Sequence, residues 1–397
     1  MARELQLSVW TYPWDVAEQG VSAFCNELRG LGVNAVSLAT SYHAGRFVQP
    51  RGIRRKSYFP EDGTVYFRPS PEIWADAAIQ PQLARQVDED GDMLRALVDA
   101  RASSGIRTNC WTVCLHNTRL GMLHPAHVAR NAFGDPSFFS LCPSSPEVRR
   151  YARSLVKDIS QTYRPDTIEL ETPSFMGFTH GYHHEKDGVG LTPEEDFFLS
   201  VCFCDHCLQR AAIDKVDGQA ARLWVKQRIA EALDRERPAR TFPDFPAKGI
   251  GAFRAHDAFH TYLLWREGIV TSLVAEIREE ADPASSVIAV SDAATWYAAL
   301  DLPAVAGACD GLLLCLYGEP AAAVTTAISE MRAAIGPDKR LGAGLRLFPD
   351  EVSGPEELAQ VSLAARKAGA DAINYYNYGL VPAKRLAWIE HASHAMA

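Results

Sequence analysis

The stretch "PEVRRYARSLVKDISQTYRPDTIELET", residues 146–172, decides the fold. An amphipathic helical pattern opens it, with Pro146 in the first turn, where proline forfeits no hydrogen bond. A short β-type run closes it. Working outward, the same helix-strand unit recurs along the chain. β-type runs lie at 5–11, 34–40, 106–113, 167–172, 286–291, 311–317, 340–347 and 372–378. Helical patterns lie between them, such as "VSAFCNELRGLG" after the first run and "PEELAQVSLAARKAGA" before the eighth. Alternating strands and helices predict a parallel sheet with crossover helices. Eight units predict a single α/β domain over 1–397, a (β/α)8 TIM barrel with its active site at the C-terminal ends of the strands. An open doubly wound sheet is the alternative, but no glycine-rich phosphate loop follows the first strand.

Two insertions are expected. Residues 41–92 carry two β-type runs around Glu61-Asp62-Gly63, which predicts a hairpin turning at Asp-Gly. The basic residues Arg46, Arg51, Arg54, Arg55, Lys56 and Arg68 of this segment read either as a solvated loop or as a surface for an acidic sugar or phosphate. Residues 178–283 are mostly helical in pattern, ending in "AFHTYLLWREGIVTSLVAEIREE", and predict a helical lid or subdomain, since a structureless loop of that length is improbable.

Composition narrows the partners. A chain of 397 residues with 47% apolar content can bury one large core. The opening "MARELQLSVW" has no basic region followed by an apolar run, and no stretch approaches the roughly 18 apolar residues of a membrane span, so a soluble, cytoplasmic protein is expected. A formal net charge of −9 argues against a nucleic-acid partner and favours small molecules. Nine cysteines in a chain of this kind suggest metal binding before disulfides.

The cysteines cluster at 201–210, "VCFCDHCLQR". Cys202, Cys204 and Cys207 supply three thiolates at a spacing that a turn can converge on one ion, and tetrahedral zinc needs four donors. Cys142, before the helix leading into the fourth strand, is the expected fourth, with His206 as a substitute and ordinary reduced thiols as the plainer reading. Four donors would make a closed structural Zn2+ site that holds the loop after the fourth strand. A homo-oligomer whose subunit contact is ordered by this loop is a weaker expectation.

The order "LCPSSPEVRRYARSLVKDI", then a strand ending in Glu171, then "CFCDHC" resembles the zinc-bearing stretch of family 42 glycoside hydrolases, the β-galactosidases of the (β/α)8 clan. The resemblance covers roughly residues 134–210. It implies a structural zinc on one cysteine of a Cys-Pro segment and three of a Cys-x-Cys-x-x-Cys run, and Glu171 as general acid/base. Two departures stand out: Leu170, not asparagine, precedes Glu171, and the seventh strand ends at Arg346 where the family's nucleophilic glutamate would fall. The family's substrate and retaining mechanism therefore do not carry over.

The strand residues point the same way without the resemblance. In "TIELET", Glu169 and Glu171 face one side and Ile168 and Leu170 the other. The deeper Glu169 reads as half of an internal salt bridge with Arg107 or Arg346; Glu171, at the strand end, reads as catalytic. Glycosyl transfer to water needs a second carboxyl, about 5 Å away for retention or roughly 6 to 10 Å for inversion. Asp292 after the fifth strand and Glu319 after the sixth are the candidates, although Asp292 would equally serve as a helix cap. Trp10, Tyr12, His43, His116, Asn117, Tyr317, Arg346 and Asn377 follow strand ends and suit a polar-aromatic carbohydrate pocket. His183 lies in "THGYHHEKD", a substrate loop or, with its neighbouring histidines, a catalytic metal site; Lys186 there would be a Schiff-base nucleophile if desolvated. Three functions compete: a glycoside hydrolase acting on a short or terminal glycoside, a barrel lyase, aldolase or isomerase acting on a sugar or sugar acid, and a non-catalytic carbohydrate-binding barrel.

Overall fold

A computed structural model describes residues 4–179, 185–291 and 295–396. Eight parallel strands form the centre: β1 (Gln6–Thr11), β2 (Ala35–Tyr42), β3 (Arg107–Val113), β4 (Thr167–Glu171), β5 (Ser286–Ser291), β6 (Gly311–Cys315), β7 (Arg340–Arg346) and β8 (Ala372–Tyr376). β1 pairs with both β8 and β2, which closes the barrel. Every expected strand is present, each within two residues of its expected ends. Aliphatic residues that point outward, such as Ile168 and Leu170 of β4, pack under the helices in a continuous apolar core. Inward-pointing residues form a buried polar layer of Ser37, Asn109, Glu169 and Asn374, with an aromatic layer that includes Trp10, Trp111 and Tyr376 toward the C-terminal rim.

Two expectations about the connections change. The Asp62-Gly63 turn forms, but the strand after it, Thr64–Val65, pairs back onto Ser41 and Tyr42 of β2. The small hairpin of this segment instead joins Phe47–Val48 to Ser57–Tyr58. The β2 ladder already offers an open edge at Tyr42, so residues 64–65 extend that edge rather than seeking the nearer chain. The long apolar pattern before β5 is the helix Asp257–Glu280, and it is a barrel helix rather than part of a lid. It packs on the helix Pro146–Asp158 through the ion pairs Arg149–Glu276, Arg153–Glu280 and Lys157–Glu280.

Between β4 and that helix lie three others, Pro193–Ser200, Asp205–Ile213 and Gly218–Leu233. They build a second apolar core on Phe197, Phe198, Phe203, Phe253, Phe259 and Tyr262. Arg235 and Arg240 reach back to Glu195 and Glu194 and pin the segment to the start of its first helix. Among the described residues, no helix is long and apolar enough to cross a membrane.

Candidate active site and metal centre

At the C-terminal rim, a cavity of about 350 Å³ opens over the strand ends. Its floor is Trp10, whose indole lies against Gly344 of β7; a Cβ at that glycine would sit 2.8 Å from the ring. Tyr42, Trp111, Tyr317, Arg346 and Tyr376 line it from the strands, and Phe175, Met176, Tyr297 and Leu300 from the loops after β4 and β5. Glu171 is the one carboxylate among its described lining residues.

The two glutamates of β4 have different surroundings. Glu169 is 1% exposed and accepts hydrogen bonds from Trp10 Nε1 at 3.0 Å, Ser37 Oγ at 2.6 Å, Asn109 Nδ2 at 3.3 Å and Asn374 Nδ2 at 3.4 Å. The expected salt bridge is absent: Arg107 bonds Asn34, and Arg346 pairs with Glu351 at 2.6 Å. Neutral donors hold Glu169 instead, and burial still pushes it up to about 7. Among the described residues Glu171 has a single hydrogen-bond partner, the Trp111 indole N–H on Oε2, and its carboxyl lines the cavity. Enclosure by the apolar and aromatic walls pushes Glu171 up to about 7 against that one hydrogen bond.

Of the residues expected at the site, Trp10, Glu171, Tyr317 and Arg346 line the cavity together. Arg346 stacks 4.0 Å from the Tyr317 ring. The others lie elsewhere. Tyr12 is fully buried behind the wall, its hydroxyl 3.2 Å from that of Tyr42 and 2.9 Å from that of Tyr376, so it steadies two lining residues without lining the cavity. His43 and His116 stack on each other at 4.2 Å, outside the cavity lining. Asn117 caps the helix Thr118–Leu123 through Leu120 N and bonds the Gly63 carbonyl. Asn377 is buried and accepts from Gly379 N. Glu319 is exposed ahead of the helix Ala321–Ile335, because the chain turns outward after Tyr317. Lys186 is exposed and outside the cavity lining. Asp292 and His183 lie outside the described residues. The basic loop is largely spent on its own fold: Arg51 pairs with Glu27, Arg54 with Asp90, Arg55 with Glu18 and Arg68 with Asp88.

Trp111 is the main residue that sequence reasoning missed. It faces inward on β3 by the same alternation that turns Glu169 and Glu171 inward, and it pairs in register with Glu169. Alternation applied to "RTNCWTV" would have found it. Phe175, Met176 and Tyr297 come from loops whose course no periodicity gives.

Beside this site, the sulfurs of Cys142, Cys202, Cys204 and Cys207 all lie within 4.8 Å of one another and are buried. Cys142 Sγ is 3.5 Å from Cys204 and Cys207 and 3.9 Å from Cys202, and Cys202 is 3.6 Å from Cys207. A tetrahedron with metal-sulfur bonds of about 2.3 Å has edges of about 3.8 Å. No disulfide joins them. The set therefore fits a metal ion with all four positions filled by protein. The Tyr262 hydroxyl donates to the Cys202 carbonyl at 2.7 Å and ties the cluster to the long barrel helix. His206 stands apart, stacked on His127 at 5.5 Å.

Comparison with protein-family models and with curated proteins finds no match to this chain. Solved structures do match. The catalytic domain of β-amylase from Paenibacillus polymyxa aligns with a TM-score of 0.59 at 13% identity, over 100% of this chain and 99% of that one. The PgaB (BpsB) glycoside hydrolase domain from Bordetella bronchiseptica aligns at 0.55 and 14%, over 96% and 95%. An α-L-fucosidase isoenzyme from Paenibacillus thiaminolyticus aligns at 0.55 and 14%, over 99% of this chain and 49% of that one. At such identities the likeness is one of fold, and the fold this chain shares with all three is a (β/α)8 barrel.

Proposed function

We propose that the protein is a glycoside hydrolase that cleaves a short or terminal glycoside, with Glu171 as its acid/base group and a structural zinc ion on Cys142, Cys202, Cys204 and Cys207. One observation carries this reading: Glu171 stands at the end of β4 lining a small aromatic-walled cavity, held by Trp111 on one oxygen and raised by burial to about 7. A carboxyl so poised is protonated in part near neutrality and can both give and take a proton. The activities named for the three solved neighbours support the reading.

In the proposed reaction the protonated Glu171 donates its proton to the glycosidic oxygen as the C–O bond breaks. Trp10, Trp111, Tyr317 and Tyr376 present aromatic surface to the sugar, and Arg346 with the tyrosine hydroxyls orients its hydroxyl groups. As the glycosidic bond breaks, a new one forms at the same carbon. For inversion it forms to water, whose proton passes to a second carboxyl; for retention it forms to the second carboxyl itself, and the Glu171 carboxylate then takes the proton of the water that hydrolyses the ester. The second carboxyl is assigned to Asp292, next to the cavity-lining Ser291; its separation from Glu171 would set the stereochemical outcome, about 5 Å for retention and roughly 6 to 10 Å for inversion. Zinc on four thiolates would supply structure only, since no position is left for substrate.

Glu171→Gln tests this. On activated aryl glycosides its kcat should fall roughly 10²- to 10⁴-fold with the melting temperature little changed. Full activity in that variant would remove Glu171 from catalysis. About one zinc per purified chain, measured by elemental analysis, is the expected metal content; its absence would return the four thiols to ordinary packing.

A further inference from the structure

Arg266, on the helix Asp257–Glu280, is 0% exposed, and its Nε, Nη1 and Nη2 all lack a hydrogen-bond partner among the described residues. A guanidinium carries five N–H donors and stays charged, so leaving it dry and unpaired is costly. Its one close contact of note is the face of Phe175, 4.2 Å from the guanidinium carbon. A ring face offsets part of a desolvated charge and does not neutralise it.

The neighbouring groups identify what does. Tyr262, one turn before Arg266 on the same helix, reaches the Cys202 backbone at 2.7 Å. Phe175, under the guanidinium, shares its apolar core with all four cysteines. Against the burial of the guanidinium, the sulfurs of Cys202, Cys207 and Cys142 favour its charged form. Tyr262 is itself buried and donates its O–H to the Cys202 carbonyl, so it is neutral. The sulfurs remain. Four thiolates around one divalent ion carry a net charge of −2, and such a centre is as costly to bury alone as the guanidinium is.

We infer that Arg266 is the buried counter-charge of the four-cysteine metal centre, and that through its stack on Phe175 it couples that centre to the wall of the active-site cavity. Each partner accounts for the other. With metal bound, the fixed cation has a dianion beside it in the interior; without it, the cluster offers protonated thiols, and the acid left nearby is Glu267, which burial raises to about 7. Phe175 also lines the cavity, so the position of the guanidinium bears on where that wall stands. Arg266 is a positioning residue here, acting on the centre and on Phe175 rather than on substrate.

The inference rests on the reading of the four cysteines as a metal site, and zinc content of the wild-type protein tests that reading separately. With zinc present, Arg266→Met is compared with wild type in zinc-loaded and zinc-stripped forms. Transfer of zinc to a chromogenic chelator should be at least 10-fold faster from the variant, in the range seen when groups around a metal's ligands are lost. The rise in melting temperature on zinc loading should shrink, while the stripped variant melts no lower than stripped wild type. Equal transfer rates, or an equal drop in melting temperature with and without zinc, would overturn the inference. If Arg266→Met does not fold, Arg266→Lys decides: transfer within about threefold of wild type supports a charge role, and transfer 10-fold faster overturns it.

Discussion

Glu169 and Glu171 sit two residues apart on one face of β4, and their hydrogen bonds separate their roles. Glu169 is buried among four neutral donors, three on Oε1 and the Trp10 indole on Oε2, so its carboxylate is out of a substrate's reach and serves instead to fix Trp10 as the cavity floor. Among the described residues, Glu171 accepts from Trp111 alone. That bond favours the ionised form, so Trp111→Phe should raise the pKa of Glu171. Loss of one hydrogen bond to a charged group is worth about 1.5 kcal/mol, or roughly one pH unit. The alkaline limb of a pH–rate profile should therefore move up by about that much; an unmoved limb would mean that the limb belongs to another group. Gly344→Ala tests the floor itself. Its Cβ would stand 2.8 Å from the Trp10 ring, so the indole must tilt away from Glu169. Overpacking of this kind costs about 1 to 3 kcal/mol, measurable by urea unfolding, and KM should rise as the floor is displaced.

At the scale of elements, the sequence carried the strands because a barrel strand must alternate between outer core and inner layer, and that alternation is written in runs such as "TIELE". It carried the four-cysteine cluster because Cys-x-Cys-x-x-Cys is a spacing that a turn converges on one point, and Cys142 meets it there. It did not carry Asn117. A residue just past β3 reads as a rim group, yet the polypeptide turns there into the helix Thr118–Leu123 and spends the amide on its cap. Asparagine is among the strongest capping residues, so that alternative was open in principle, but only the course of the chain after Val113 decides between them. Asn117→Ala should lower stability by about 1 kcal/mol in urea unfolding, with kcat and KM within about twofold of wild type. A large loss of activity at unchanged stability would place Asn117 back at the site. The hairpin failed for a related reason: an Asp-Gly turn fixes a reversal, not which edge the returning strand finds.

For the molecule as a whole, the buried carboxyls set how stability varies with pH. Burial raises Glu169 and Glu171 from an ordinary value of 4.5 to about 7, and Asp15, held by Thr11, Tyr12 and Gln49, from 3.8 to about 6. Below 4.5 both native and unfolded chains hold these protons. Between 4.5 and 7 the native glutamates keep protons that the unfolded chain has released, so stability falls as pH rises through this window and is level above it. A shift of this size in Glu169 is worth at most about 3 kcal/mol. Ion-paired carboxylates act in the opposite sense: Glu27, Glu195 and Glu280 are lowered by their arginine or tyrosine partners, and their contribution is lost as the solution is made more acid than their ordinary range. The two slopes place the stability maximum in mildly acidic solution, below neutrality. Urea midpoints measured from pH 4 to 9 should fall from about pH 5 to 7 and then flatten. Glu169→Gln should lower stability throughout, because its amide N–H₂ faces donors, and should flatten the slope between pH 5 and 7. An unchanged slope would assign that proton to a different buried group.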